Sequence, residues 1–516
     1  MLAAIRSAGL IGIDAYDVTV EVDAAAGLPQ WTIVGLPFGA VKESRERVGA
    51  ALVNSGFTLP PRRITVNLAP ADIKKDGTAF DLPIAVGILV ATGQLCADSV
   101  QSRVFVGELG LDGTIRGVRG ALSIARRTTN IAEGAELILP RANLAEAGRV
   151  SALRLAAPRD LRTLVSDLRS GSLEATACPS VPRQVRCDSL DFSDVVGQET
   201  AKRALEVAAA GGHNLVLTGP PGAGKTMLAR RLPGILPALS EAESLEVIAI
   251  HSVAGTLTSD ALSACDRPFR APHHSISSAG LIGGGSSPRP GEVSLAHHGV
   301  LFLDELLEFP RSVLEGLRQP MEDGRVVVAR AAMSVVFPAR FTLIGATNPC
   351  PCGRLGDSTG SCICSISDLE RYSRRMSGPL ADRMDMHVSV GAVPLRDLSA
   401  SANGEPTESI RDRVSRARAV QSKRFTGLGG VECNAHASGK WIDSHGGIES
   451  GARDLLQRAA TTLALSARGY HRVLKVARTI ADIDADPSTR PAHVAEALRY
   501  RPVARSPARG PHSQPP

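Results

Sequence analysis

Aromatic residues make up only 3% of this chain of 516 residues. That scarcity excludes a platform of stacking rings as the main device for binding single-stranded nucleic acid. Long apolar runs are missing too, because the longest nearly uncharged stretch, 82–95, contains Pro83 and is shorter than the roughly 20 residues of a membrane helix. The nine cysteines are irregularly spaced, which excludes a disulfide scaffold. We therefore expect a cytoplasmic protein that does not enter a membrane.

The length predicts about three domains at ~150 residues each, and three patterns follow one another along the chain. Residues 1–169 alternate strand-like runs with helical spacing and predict a compact α+β domain. After a Gly-, Ser- and Pro-rich linker at 170–193, residues 194–393 repeat strand, loop and helix, which is typical of a parallel sheet covered on both faces. Residues 394–502 predict an all-helical lid, and 503–516 a disordered tail. The predicted fold class is multidomain α/β.

A glycine-rich loop follows the apolar run 214–218 and opens a helical run: Gly219-Pro220-Pro221-Gly222-Ala223-Gly224-Lys225-Thr226. This is the spacing G-x-x-x-x-G-K-T of a phosphate-binding loop in its required strand, loop and helix context. The glycines let backbone N–H groups surround the phosphates, Lys225 reaches the terminal phosphates, and Thr226 offers a hydroxyl to Mg²⁺. A glycine-rich turn without a ligand is the alternative. We predict that this loop binds ATP with Mg²⁺.

Later residues complete a site for nucleotide hydrolysis. A second apolar run precedes Asp304, which is placed to hold Mg²⁺, and Glu305, which is placed to polarise an attacking water. A third run ends before Asn348, whose amide suits a sensor of the γ-phosphate. Arg383 is our candidate for an arginine that completes the site of a neighbouring subunit. The alternatives are solvated acids, an ordinary Asn turn and a salt-bridged arginine.

These motifs together resemble the AAA+ class of ATPases, and four longer strings narrow the resemblance. Residues 269–275 (FRAPHHS), 283–285 (GGG), 290–297 (PGEVSLAH) and 348–353 (NPCPCG) are similar to the magnesium-chelatase-like branch, and specifically to the bacterial ComM (YifB) family. The resemblance covers the chain to about residue 500. It implies an ATPase that forms a hexameric ring and moves along branched or single-stranded DNA as a branch-migration helicase in homologous recombination and natural transformation.

The same resemblance assigns roles outside the nucleotide loop. It implies a Lon-protease-like first domain, in which Ala79 and Leu122 stand where the protease has its serine and lysine. Since alkyl groups can neither attack a carbonyl nor activate a nucleophile, we expect no peptidase activity and interpret the domain as a platform for assembly or DNA binding. In the lid, the resemblance favours Arg472 over Arg468 as an arginine that senses the bound nucleotide.

The Val-rich run 325–337 alternates on both sides of Arg330 and precedes the strand that leads to Asn348, which predicts a β-hairpin. The hairpin is similar to the pre-sensor hairpin of minichromosome-maintenance helicases, in which a basic tip contacts DNA phosphate. Arg330 matches that tip, where it would bind DNA without reading its sequence. The alternative is a hairpin that packs between subunits.

Four cysteines, Cys350, Cys352, Cys362 and Cys364, form two C-x-C pairs within 15 residues. Four thiolates on one loop suit a closed, tetrahedral, structural Zn²⁺ site. The spacing departs from the usual C-x₂₋₄-C, and separately buried free cysteines are the alternative. The adjacent histidines 273–274 and 297–298 suggest a metal site, but neighbours on a helix point apart. We therefore interpret them as loop or insert residues and assign them no role.

Two other functions are compatible with the same ATPase motifs. One is a chelatase motor subunit that inserts Mg²⁺ into a porphyrin; no porphyrin site is visible in the sequence, and the Lon-like first domain is atypical of such motors. The other is a protein-remodelling ATPase, for which an aromatic pore loop is expected, whereas the hairpin carries Arg330 at its centre.

Overall fold

The computed structural model describes residues 2–131, 134–151, 153–179, 190–258, 262, 266–285, 287–330, 333–355, 362–376, 378–393 and 404–501, apart from the side chains at 330 and 333. Part of the predicted linker and the whole of the predicted tail at 503–516 lie outside these residues. Within the described ranges, every helix is too short or too polar to cross a membrane.

The N-terminal region is a mixed sheet with helices packed against it. Its strands are β1 Leu2–Ile11, β2 Asp14–Ala25, β3 Gln30–Val34, β4 Arg63–Ala69, β5 Arg103–Phe105, β6 Glu108–Leu109, β7 Ile115–Arg116, β8 Glu136–Ile138 and β9 Arg154–Ala156; its helices are α1 Ala40–Asn54, α2 Asp81–Ala91, α3 Ala121–Thr128, α4 Leu144–Ala147 and α5 Leu161–Ser170. The order in the seven-stranded sheet is β3-β4-β2-β1-β5-β8-β9. Strands β1 and β2 form a long antiparallel pair, while β5, β8 and β9 are parallel. Helix α2 is buried at every residue, which explains its uninterrupted apolar sequence.

The central region is built on a second sheet, which has five strands and in which every pairing is parallel. The strands of the whole region, which include the separate pairs β12–β13 and β15–β16, are β10 Leu215–Thr218, β11 Phe269–Arg270, β12 Gly283–Gly284, β13 Arg289–Pro290, β14 Gly299–Leu303, β15 Arg325–Arg330, β16 Met333–Pro338, β17 Phe341–Thr347 and β18 Met386–Ser389; its helices are α6 Glu199–Gly211, α7 Lys225–Ile235, α8 Glu241–Ala254, α9 Ser278–Ile282, α10 Glu292–Leu295, α11 Arg311–Gly316, α12 Arg318–Asp323, α13 Ile366–Ser373 and α14 Gly378–Ala381. The five-stranded sheet has the order β11-β14-β17-β10-β18. The expectation of a mixed α/β protein with a parallel sheet is therefore confirmed.

The regular elements of residues 404–501 are helices: α15 Thr407–Arg424, α16 Gly439–His445, α17 Ser450–Thr462, α18 Ala467–Ile483 and α19 Pro491–Arg499. One hydrophobic cluster joins them to the parallel sheet, since Leu474 of α18 and Leu205 of α6 belong to the same buried group as Leu215 of β10. The helical region and the sheet consequently share one core. The predicted boundaries between the domains remain predictions.

The N-terminal region contacts the central region at two places. At the turn between β1 and β2, Ile11 and Ile13 pack against the cluster that contains the buried side of the β15–β16 hairpin. At the start of α3, Leu122 is fully buried in a cluster with Ile248 of α8. The leucine that stands at the predicted position of a protease lysine is thus part of an apolar contact with α8.

Candidate nucleotide site and its surroundings

One edge of the parallel sheet gathers the residues that the sequence analysis assigned to ATP. Because β10, β14 and β17 run parallel, the segments that follow them lie side by side at their carboxyl ends. The glycine-rich loop 219–224 follows β10, Asp304 and Glu305 follow β14, and Asn348 follows β17. The fold therefore brings these residues to one place from three distant parts of the sequence.

The ammonium group of Lys225, at the start of α7, lies inside the loop. Its Nζ donates hydrogen bonds to the carbonyl oxygens of Gly219 (2.6 Å) and Pro220 (3.0 Å) and to Oδ1 of Asn348 (3.1 Å). Burial lowers the pKa of Lys225, although the nearby carboxylates oppose that shift. A phosphate that replaced these neutral acceptors would place a full negative charge beside the lysine.

Three glycines shape the loop. Gly222 and Gly224 have φ of +78° and +87°, a conformation that glycine adopts without steric cost. At Gly219, an added Cβ would lie 2.1 Å from the carbonyl oxygen of Val390. The loop therefore needs glycine at these positions for its backbone path as well as for access to a phosphate.

Two oxygen ligands suited to Mg²⁺ lie next to the lysine. Thr226 Oγ1 donates to Asp304 Oδ2 at 2.7 Å, so a hydroxyl and a carboxylate face the same point. Glu305 has the unusual φ of +51°, and its backbone N–H donates to Asp304 Oδ1 at 3.0 Å. Its carboxylate Oε2 lies 3.3 Å from Nδ1 of His274. Sequence reasoning missed that histidine, because the spacing of the motif gives no hint that β11 ends beside β14.

Arg383 and Arg472 lie at the opposite edge of the sheet. The side-chain amide of Asn214, just before β10, donates to the backbone carbonyl oxygen of Arg383 at 3.3 Å. The backbone carbonyl oxygen of Asn214 accepts the backbone N–H of Asp385 at 2.9 Å. Arg472 donates to Asp385 Oδ1 at 2.8 Å. The five steps of extended chain from Asn214 to Gly219 span roughly 16 Å. The structure thus does not bring either arginine to the phosphate-binding loop of its own chain.

A cavity of about 460 Å³ lies at this second edge, and its lining includes Arg383, Arg472 and Lys475. The Arg383 guanidinium donates to the carbonyl oxygen of Pro379 at 2.7 Å and contacts the carboxylate of Glu322. This ion pair is the salt-bridged state that the sequence analysis considered as the alternative for Arg383. The lining also contains the carboxylates of Glu322, Asp323, Asp382 and Asp385. An anionic ligand could bind the cationic side chains here only by displacing such internal partners.

Asp385 is the buried anchor of this second edge. Burial alone would raise its pKa, but the side chains of His213 and Arg472 outweigh that effect and hold the pKa well below its usual range. The carboxylate also accepts the backbone N–H of Asn214 at 3.0 Å. Asp385 is therefore charged when folded and fixes the position of the Arg472 guanidinium.

The predicted hairpin is present. Strands β15 and β16 pair antiparallel, and Arg330 opposite Met333 forms the last pair before the tip. Val328 and Phe337 are buried on one face, whereas Val327 and Val336 are 40% and 48% exposed on the other. The backbone of Arg330 therefore lies at the predicted place, while its side chain is outside the described residues.

The four cysteines converge. The Sγ atom of Cys350 lies 3.4 Å from that of Cys352 and 3.7 Å from that of Cys362, and the Sγ atoms of all four, Cys364 included, are within 4.8 Å of one another. A tetrahedral site with Zn–S bonds of about 2.3 Å has sulfur–sulfur distances of about 3.8 Å, whereas a disulfide needs about 2.05 Å. The arrangement fits a tetrahedral metal ion and disfavours the alternative of separately buried cysteines.

Backbone N–H groups point at the same sulfurs. Leu355 N–H donates to Cys350 Sγ at 3.3 Å. The N–H groups of Arg354 and Ile363 donate to Cys352 and lower the pKa of that thiol to about 6. Such donors stabilise the thiolate form of Cys352, which is the form that binds a metal. At Cys362 and Cys364, the backbone donors are outweighed by burial and the neighbouring thiols, which raise the pKa.

His297 and His298 lie in a turn, in agreement with their interpretation as loop residues, but the expectation that their side chains point apart is wrong. Both Nε2 atoms face one oxygen of Glu246, at 2.9 and 3.0 Å. The cause is the backbone, since the pair is not helical and His298 has φ of +57°, which turns its ring to the side of its neighbour. His297 Nδ1 accepts the backbone N–H of Arg340 at 3.0 Å, so its Nε2 carries the proton and donates to Glu246 rather than binding a metal. Similarly, the rings of His273 and His274 are not splayed but lie 4.1 Å apart.

Family models and known proteins match nearly the whole chain. Residues 191–398 match the family model "Magnesium chelatase, subunit ChlI", residues 20–143 match "Subunit ChlI of Mg-chelatase", and residues 404–501 match "Magnesium chelatase, subunit ChlI C-terminal". The chain is 42% identical to the competence protein ComM of Haemophilus influenzae and 42% identical to the protein YifB of Escherichia coli, over 98% of both chains in each comparison. It is 28% identical to the magnesium-chelatase 38 kDa subunit of Cereibacter sphaeroides, over 31% of this chain and 52% of that subunit.

Proposed function

Because this chain belongs to the ComM/YifB family of magnesium-chelatase-like proteins, we propose that it is an AAA+ ATPase that uses ATP hydrolysis to move DNA. The observation that carries the proposal is the convergence of Lys225, Asp304 and Asn348 at one edge of the sheet, with cationic side chains at the other edge. Because the two edges of one chain are too far apart to bind the same nucleotide, a site that uses both needs a second subunit.

In this proposal, the loop 219–226 binds the phosphates of ATP and the oxygens of Thr226 and Asp304 hold Mg²⁺. Glu305 polarises the attacking water and Asn348 orients the γ-phosphate, which it can reach because it already contacts the Lys225 ammonium. When bound, the metal would neutralise part of the charge of the phosphates.

The neighbouring subunit completes the site. We place Arg383, and with it Arg472, against the γ-phosphate bound by the adjacent chain, since neither can reach the loop of its own chain. Six subunits in a ring would give each nucleotide one such pair. The expected measurement is the mass of a hexamer by light scattering in the presence of a non-hydrolysable ATP analogue.

The name of the relative ComM, a competence protein, and the β15–β16 hairpin of this chain support DNA as the partner. In this proposal, Arg330, in the last pair before the tip of the hairpin, contacts DNA phosphate without reading bases. We therefore propose branch migration during homologous recombination and uptake of transforming DNA as the process served, with branched or single-stranded DNA as the partner.

The test is ATP turnover measured with no DNA, with forked DNA and with four-way DNA. We expect DNA to raise turnover. Lys225→Ala and Glu305→Gln should abolish it, whereas Lys42→Ala, on an exposed face of α1, should not. Turnover that ignores every DNA offered would refute the DNA motor and favour a chelatase-type or protein-remodelling ATPase, and activity in Lys225→Ala would refute the site.

We further propose that the four cysteines bind one structural Zn²⁺. The sulfur–sulfur distances and the N–H donors to sulfur support this choice. Elemental analysis of the purified protein should find about one zinc per chain. A value below about half an equivalent would contradict it.

A further inference from the structure

We propose that the Zn²⁺ held by the four cysteines is a brace that positions Asn348 and the phosphate-binding loop for hydrolysis. This inference rests on the proposed zinc site and the proposed ATPase. It starts from two places at which the loop that carries the cysteines reaches the nucleotide site.

The first place is covalent. Asn348 is separated from the metal-ligand candidate Cys350 by one residue, and its Oδ1 accepts a hydrogen bond from Lys225 at 3.1 Å. Cys350 is completely buried and its Sγ accepts the N–H of Leu355. The position of the Cys350 sulfur therefore limits where the Asn348 amide can be.

The second place is a close contact. Gly353, directly after Cys352, has φ of +78° and lies so close to Pro221 that an added Cβ would be 2.6 Å from the Cδ atom of the proline. Pro221 belongs to the phosphate-binding loop. The turn that follows the first C-x-C pair is thus in close contact with the loop that is proposed to bind the phosphates.

A bound metal would connect these two contacts. It joins Cys350 and Cys352 to Cys362 and Cys364 at fixed distances, so the turn cannot move away from Pro221 without breaking a metal–sulfur bond. Without the ion, the two C-x-C pairs are held together by weak S–H interactions and by backbone N–H donors such as that of Ile363 to Cys352, which fix the turn less firmly than four metal–sulfur bonds. The backbone N–H groups that bind phosphate belong to the loop 219–226 itself and remain. Loss of the metal is therefore expected to slow hydrolysis more than it weakens nucleotide binding.

The experiment compares the wild type with the double variant Cys362→Ser/Cys364→Ser and with Cys96→Ser, an exposed cysteine of the N-terminal region. Zinc content, kcat, KM and the Kd of a fluorescent ATP analogue are measured with Mg²⁺ in excess. The double variant should lose its zinc and lose roughly tenfold to hundredfold in kcat, as expected for a displaced catalytic group, with KM and Kd changed less than about threefold. Cys96→Ser should match the wild type in all four measurements.

The variant Gly353→Ala tests the contact with Pro221 separately from the binding of zinc. It keeps all four sulfurs, so zinc content should equal that of the wild type, yet the new methyl group collides with Pro221 and kcat should fall. Wild-type kcat in Gly353→Ala, or in the zinc-free double variant, would overturn the brace. A wild type that contains less than about half an equivalent of zinc would overturn the metal site while leaving the ATPase proposal standing, and a zinc-loaded wild type without ATP turnover would overturn the proposed function itself.

Discussion

Two inactive variants should restore each other's activity when they are mixed. Lys225→Ala removes the phosphate-binding lysine, and Arg383→Ala removes the arginine at the opposite edge of the sheet. In the structure, Arg383 contacts Asn214 before β10 and Lys225 contacts Gly219 after it, and these two contact points are about 16 Å apart along the strand. If the nucleotide site lies between subunits, an Arg383→Ala chain supplies an intact lysine and its Lys225→Ala neighbour supplies an intact arginine.

The size of the recovery follows from the geometry of a closed ring, in which each subunit has one neighbour on each side. In an equal mixture, about half of the subunits carry an intact lysine, and about half of their neighbours on the relevant side carry an intact arginine. About one quarter of the interfaces are then complete. If the sites act independently, ATP turnover should rise to about one quarter of the wild-type rate. If the sites must hydrolyse ATP one after another around the ring, the recovered rate will be lower but still above that of either variant alone.

A matched mixture shows whether the recovery comes from shared sites. Lys225 and Glu305 both lie at the carboxyl edge and serve the same nucleotide, so an equal mixture of Lys225→Ala and Glu305→Gln contains no complete interface and should stay inactive. The assay is steady-state phosphate release, with the subunits mixed before nucleotide is added. A Lys225→Ala and Arg383→Ala mixture no faster than its separate components would refute the composite site.

Three further outcomes follow from individual residues. Arg330→Ala should lose the increase in ATP turnover that DNA causes, and Arg325→Ala, at the base of the hairpin, should keep it; equal responses to DNA would count against the tip contact. Because burial lowers the pKa of His297 below its ordinary value of about 6.5, the unfolded chain takes up a proton that the folded chain resists, and stability falls as the pH drops below about 6.5; calorimetry should show a smaller decline of the thermal midpoint for His297→Gln. Ser252→Ala removes the acceptor for a backbone N–H at the start of α3 and should cost about 1–3 kcal/mol, seen as a lower thermal midpoint; an unchanged midpoint would contradict that bond's contribution.

The nucleotide loop could be predicted from the sequence because its signal is local. The run 219–226 contains its own strand end, turn glycines and helix start, and the structure has β10, the loop and α7 in that order. The same holds for the hairpin, whose alternating valines specify two paired strands. The cysteine cluster was predicted from composition and short spacing, and its convergence needed no knowledge of distant contacts.

The arrangement of the arginines could not be predicted, since it depends on which end of a strand a residue follows. Arg383 precedes β18 and Arg472 lies on α18, and no sequence pattern says that α18 packs near the start of β10 rather than near its end. The joint orientation of His297 and His298 was missed for a related reason. It results from one positive φ angle, and histidine carries no compositional signal for that conformation.

Leu122, which the family resemblance aligns with a protease lysine, has a structural role in this chain, since it is fully buried against α8. An amine at this site would be enclosed with Ile248 and Ala249 of α8 and would lose the apolar contact that the leucine makes there. The buried carboxylate of Glu146, which accepts the backbone N–H of Leu122 at 2.7 Å, is the acidic group beside it. Next to it, the hydroxyl of Ser252 on α8 accepts the N–H of Gly120 at 2.8 Å, so apolar and polar contacts act at the same joint. Leu122→Lys is therefore expected to weaken the attachment of the N-terminal region to α8. Buried contacts at this place and at the β1–β2 turn join the N-terminal region to the central region, so the two regions are not independent of each other.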